Sequence, residues 1–189
     1  YEAGGIALST MVVLPDASNA LLEKGMRNNP EEWKLPFMLG INYYFEFQDD
    51  AKAAHYIAQA SRLPGAPEYL ARLAARLYAS AREPQTAIDL LAQVYEHTTD
   101  DNVKRVLEQR VKELVVERDI QIMEVALGSY AQQHNKRAEG LEDLVAAGLL
   151  RAIPTEPFGR IYLYDPTTQS IRSSMAKTSP KPLGRRRAL

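Results

Sequence analysis

The chain has 189 residues, 46% of them hydrophobic and 25% charged, a balance that supports a buried core and excludes a chain too polar to fold. It has no cysteine, so disulfides, thiolate zinc sites and thiol nucleophiles are excluded. The formal net charge of −1 hides a split. Residues 175–189 hold five basic side chains (Lys177, Lys181, Arg185, Arg186, Arg187) and no acid, while the remainder holds 18 basic against 24 acidic residues, a net of −6. An acidic body without a nucleic-acid motif argues against nucleic acid as a partner. The basic end reads either as a solvated, disordered tail or as a contact for an anionic surface.

In chain order, residues 1–14 read as an apolar helix after Gly4-Gly5, broken by Pro15-Asp16. Its longest apolar run contains Ser9 and Thr10 and falls short of the roughly 18 residues a spanning helix needs. The chain opens on Tyr1 rather than Met, so a leader or anchor removed from in front of it is expected. Residues 17–27 read as a second helix, ended by Asn28-Asn29-Pro30. Next come a helix over 33–47, a turn at Gln48-Asp49-Asp50 with Asp50 as a cap, and a helix over 51–63 closed by Pro64-Gly65. The plan repeats with helices over 69–81 and 86–97, joined at Glu83-Pro84. A long helix over about 100–134 follows, then a short helix over 141–150 and turn formers at Pro154, Pro157 and Phe158-Gly159. Residues 161–164 and 170–173 read as two strands around Asp165-Pro166.

The first half repeats itself. Tyr44, Ala53, Ile57 and Ala60 recur 34 residues later as Tyr78, Ala87, Leu91 and Val94. Small residues let antiparallel helices approach closely, and large ones fill the space between neighbours. A fixed period of this length marks stacked helical hairpins. Residues 1–101 therefore resemble the tetratricopeptide repeat family. One register sets Ala53 at the family's buried alanine, with Phe37, Gly40, Ile41 and Tyr44 before it. Another uses Leu39-Gly40 and Tyr43, with a turn one residue longer; both fit the sequence.

Residues 120–174 resemble the globular end of type II secretion pseudopilins. Leu141, Leu144, Val145, Gly148, Leu149 and Leu150 match its short helix, Pro154, Pro157, Phe158 and Gly159 its turn, and Tyr162, Tyr164 and Asp165 its hairpin. The family's calcium loop has no acidic counterpart after Asp165, so no metal is carried over. The apolar N-terminal helix of that family is replaced by the repeat array. The resemblance implies a bacterial envelope setting, with membrane attachment only through a segment preceding Tyr1.

No catalytic constellation appears. His55, His97 and His134 are far apart on different predicted helices, and no paired-histidine metal motif is present. Asp49-Asp50, Asp100-Asp101 and Glu142-Asp143 stand at helix starts, where capping suits them. Ser129, Ser173 and Ser174 lack a nearby base. In the Ala53 register the groove-facing residues are Leu35, Met38, Asn42 and Phe45, then Tyr69, Arg72, Arg76 and Ala79. Arg72 and Arg76 lie one turn apart and, with Tyr69, suit an acidic peptide; the alternative is that they pair with Glu68 or Glu83.

The expected fold is mainly α: a helical-hairpin array over 1–101, then a long helix and a small α+β module with a β-hairpin over 102–174, then the basic tail. The expected role is a non-catalytic protein–protein interaction scaffold without cofactor or metal. Its groove holds a partner peptide or helix through Asn42, Phe45, Tyr69, Arg72 and Arg76. The rival role is a structural subunit that self-assembles through the C-terminal module.

Overall fold

The computed structural model describes residues 1–6 and 14–174. The expected helix over 1–14 falls partly, and the basic tail wholly, outside the described residues. Among the described residues the chain is mainly α, with eight helices and one two-stranded antiparallel sheet. The helices are α1 (Glu2–Ile6), α2 (Pro15–Asn28), α3 (Lys34–Phe45), α4 (Asp50–Ser61), α5 (Tyr69–Ser80), α6 (Pro84–His97), α7 (Asp101–His134) and α8 (Glu142–Ala146). Strands β1 (Tyr162–Asp165) and β2 (Ser170–Ser173) form the sheet. Packing divides the chain into two units, Tyr1–Val111 and Lys112–Leu189, so the boundary falls within α7.

In the first unit each helix from α1 to α6 packs against the one before it. Pro15 and Pro84 open α2 and α6, where a missing N–H costs no hydrogen bond. Asp49, rather than the expected Asp50, caps α4 by accepting from the Lys52 N–H at 2.9 Å. The second helices of the hairpins superpose on their burial pattern. Ser18, Leu22 and Gly25 of α2 stand 35 residues before Ala53, Ile57 and Ala60 of α4; Ala87 and Leu91 of α6 stand 34 after Ala53 and Ile57. Ser18, Ala53, Ala60 and Ala87 are fully buried.

The first helices follow a different step. Leu35, Pro36, Leu39, Gly40 and Asn42 are buried on α3, and Leu70, Ala71, Ala74, Ala75 and Leu77 on α5, each pair 35 residues apart. The turns explain the mismatch. The Asp49 N–H donates to the Tyr43 carbonyl at 2.9 Å, and the Glu83 N–H to the Tyr78 carbonyl at 2.8 Å, so the first turn holds one residue more. Gln48 and Arg82 take the left-handed turn conformation at φ 52° and 61°. Tyr43, not the expected Tyr44, is therefore the counterpart of Tyr78, which selects the longer-turn register left open by the sequence.

In the second unit, Met123, Ala126, Leu127 and Tyr130 line one face of α7 at helical spacing. They form one core with Ala138, Leu141, Leu144, Leu150, Tyr162 and Ile171. Tyr162 pairs with Ser173 and Tyr164 with Ile171 across the hairpin, which puts these four side chains on one face of the sheet. The Tyr164 hydroxyl donates to the Ala138 carbonyl at 3.2 Å, fastening the hairpin to the loop after α7.

Candidate functional site

Helix α5 is amphipathic. Leu70, Ala71, Ala74, Ala75, Leu77 and Tyr78 face inward, whereas Tyr69, Arg72 and Arg76, at i, i+3 and i+7, share an exposed face. Tyr69 is 49% exposed. Neither arginine has an ion-pair partner among the described residues, so the pairing with Glu68 or Glu83 is not formed. Two guanidinium groups one turn apart beside an open phenol ring form a cationic surface without internal neutralisation, which suits carboxylates.

Arg72 also stands at the rim of a half-open cleft of about 770 Å³ where α5, α6 and the first turn of α7 meet. Its lining is mixed in charge, Arg62 and Arg72 against Glu68 and Asp100, and includes the apolar Leu90 and Val94. The Asp100 carboxylate is engaged at the start of α7, accepting from the Asn102 N–H at 2.7 Å and the Val103 N–H at 3.3 Å.

The residues expected from α3 require correction. Asn42 is only 6% exposed and cannot contact a partner. Its side-chain amide donates to Ser18 Oγ at 2.8 Å and Asn19 Oδ1 at 2.9 Å, and Ser18 Oγ donates to the Gly5 carbonyl at 2.8 Å. Asn42 is thus a buried polar tie between α3 and α2. Leu35 is likewise buried, and Met38 packs against Leu22, Leu35 and Leu39. Phe45 is exposed, with its ring edge-on to Tyr44 at 4.9 Å between centroids, but it lies at the end of α3. The structure brings together Tyr69, Arg72 and Arg76 and separates Asn42 from them. Replacing Asn42 with alanine removes the amide donor at this buried tie, and the expected loss is about 1–3 kcal/mol of stability. Chemical denaturation measures it.

The second unit holds polar clusters that sequence reasoning missed. Asp119 is 3% exposed and accepts from the Tyr162 hydroxyl at 3.0 Å and from Arg118 Nη2 at 2.8 Å. Glu156 is 2% exposed. Its Oε2 accepts from the Phe158 and Arg160 N–H groups at 2.8 and 3.1 Å, and its Oε1 from Ser173 Oγ at 3.0 Å. Ser173 is therefore a hydrogen-bonded structural hydroxyl. Among the described residues no buried side-chain nitrogen or oxygen lacks a partner, and no three His, Asp or Glu side chains gather as metal ligands. These clusters are saturated from within and leave nothing aimed at a ligand.

Burial, followed by the hydrogen bond to Asp119 and the charges of Asp119 and Glu156, pushes the Tyr162 phenol well above its ordinary value. A raised phenol value means that the neutral form is favoured in the fold. The stability it contributes is complete below the ordinary tyrosine value of about 10 and is lost as pH climbs through the raised one. Tyr56, Tyr78, Tyr95 and Tyr164 are raised as well, and Tyr162 most of all, so in an ultraviolet titration Tyr162 is expected to be the last of the ten tyrosines to ionise. Tyr162→Phe removes that last component; an unchanged titration would show that Tyr162 is not held this way.

Among the described residues no helix is long and apolar enough to cross a membrane. Comparison of the chain with protein-family models, with curated proteins and with solved structures finds no match.

Proposed function

We propose that this chain is a non-catalytic interaction scaffold of tetratricopeptide type, whose α5 face holds an acidic segment of a partner protein. The observation that carries this reading is the exposed line Tyr69–Arg72–Arg76, with neither arginine neutralised by a described residue. The hairpin steps of 34 and 35 residues and the buried small residues at Ser18, Ala53 and Ala87 support the family likeness. A setting in a bacterial envelope or secretion assembly rests on the pseudopilin-like sequence of 120–174 alone.

The double variant Arg72→Glu/Arg76→Glu tests the reading. Both positions are exposed, and glutamate is a good helix former, so far-ultraviolet circular dichroism should be unchanged. Capture of partner protein by the purified chain is expected to fall at least tenfold, with binding by the unaltered chain weakening as salt rises. Capture that survives the double reversal removes α5 as the contact.

A further inference from the structure

The correct register of α3 changes what the face of this scaffold is made of. Stepping back 35 residues from Tyr69, Arg72, Arg76 and Ala79 reaches Lys34, Phe37, Ile41 and Tyr44. All four are half-buried, so part of each side chain reaches solvent. Helices α3 and α5 both pack against α4 and bury matching positions. Phe37 thus holds on α3 the place of Arg72 on α5, and Ile41 the place of Arg76. Successive hairpins present first an apolar strip and then a cationic one. Exposed Phe45, beside Tyr44, extends the apolar end.

We propose that the segment held by this scaffold is bipartite, with bulky apolar side chains over Phe37, Ile41 and Tyr44 and carboxylates over Arg72 and Arg76. The inference rests on the peptide-binding reading above and adds the order of chemistry along the ligand. Charge complementarity selects the acidic end: two unneutralised guanidinium groups gain charge-assisted hydrogen bonds from carboxylates and repel cations. The apolar end gains by removing the remaining exposed carbon of Phe37 and Ile41 from water, which no polar ligand does. Anionic nucleic acid would satisfy the arginines but not the apolar strip, and the net −6 of residues 1–174 opposes it.

The test uses the full chain and fluorescein-labelled peptides read by anisotropy. Two block peptides, in opposite orders, carry six residues of alternating leucine and glutamine and six glutamates. A third has the same composition with the two kinds interleaved, and a fourth carries the glutamates with serines. One block order is expected to bind at least tenfold more tightly than the interleaved and serine peptides. Ile41→Glu should bring that block peptide down to the level of the serine peptide and leave the serine peptide unchanged. If Ile41→Glu lowers the melting temperature, Ile41→Gln replaces it with the same expectation. Arg72→Glu/Arg76→Glu should weaken all four peptides. Equal binding of block and interleaved peptides overturns the bipartite order while leaving α5 as an acidic-peptide site. Absence of binding by every peptide, or tighter binding of a single-stranded oligonucleotide, overturns the order and the peptide reading together.

Discussion

Glu156→Ala is expected to destabilise the C-terminal module by about 3–5 kcal/mol, a large share of the roughly 5–15 kcal/mol that holds a typical domain folded. The carboxylate is buried and accepts three hydrogen bonds, two from the turn at Phe158 and Arg160 and one from Ser173 on β2. Alanine leaves two backbone N–H groups and one hydroxyl without that acceptor in a place water reaches poorly. The damage should be specific. Ser173 pairs with Tyr162, so loosening the turn also loosens the strand that carries the phenol bonded to Asp119. Near-ultraviolet circular dichroism from the tyrosines should fall more than the helical far-ultraviolet signal. Glu156→Gln keeps the shape but sets an amide N–H₂ against a donor on one side, and is expected to fall between alanine and the unaltered chain. A loss below about 1 kcal/mol for Glu156→Ala would mean that these donors find other acceptors.

The second large effect is expected at Gly40. A Cβ there would lie 2.6 Å from Ile57 Cγ1 and 3.0 Å from the Ala53 carbonyl oxygen, and that oxygen, being backbone, cannot swing aside. The absence of a side chain is what lets α3 approach α4 so closely. Gly5 meets Leu22 in the same way one hairpin earlier, at 2.6 Å to Leu22 Cδ2. Ala75 stands at the corresponding place on α5 and carries a Cβ, so this joint is tighter between α3 and α4 than between α5 and α6. Alanine at 40 gains about 1 kcal/mol in helix propensity, which partly offsets the overlap, and a net loss of about 1–2 kcal/mol is expected. Valine adds two γ-methyl groups and forces the helices apart, with an expected loss of about 3 kcal/mol or more. A double-mutant cycle locates the cause: in an Ile57→Ala background the additional cost of Gly40→Ala should shrink, because the nearest obstacle is gone. An additive result would place the strain elsewhere.

Much of the array was legible because its cause is local. Ala53 with Ala87 and Ile57 with Leu91 show the 34-residue step of the second helices directly, and Pro84 marks the start of α6. The face of α5 was equally legible, since Tyr69, Arg72 and Arg76 sit among small and apolar residues with a clean helical period. The register of the first helices stayed open in the sequence, and the groove residues taken from the Ala53 register fall one position off. The extra residue lies in a turn whose left-handed position is Gln48, as it is Arg82 in the next turn, so no glycine marks the difference. One residue rotates the assignment by about 100° around a helix, enough to exchange buried Asn42 for half-exposed Ile41.

The sequence by itself determined the class of fold, the succession of helices and the closing β-hairpin, because helical period, proline and small residues act over a few positions. The division between the two units, expected before residue 102, falls instead inside α7, where no proline or glycine marks it. Only the tertiary structure decided which polar groups turn inward. Asn42 meets Ser18 and Asn19 from 24 and 23 residues away, Tyr162 meets Asp119 across 43, and Glu156 closes on Ser173 across 17. The chain marks each of these as an ordinary surface side chain. Their burial follows from packing that brings distant donors and acceptors together in a medium where an unmade hydrogen bond is costly.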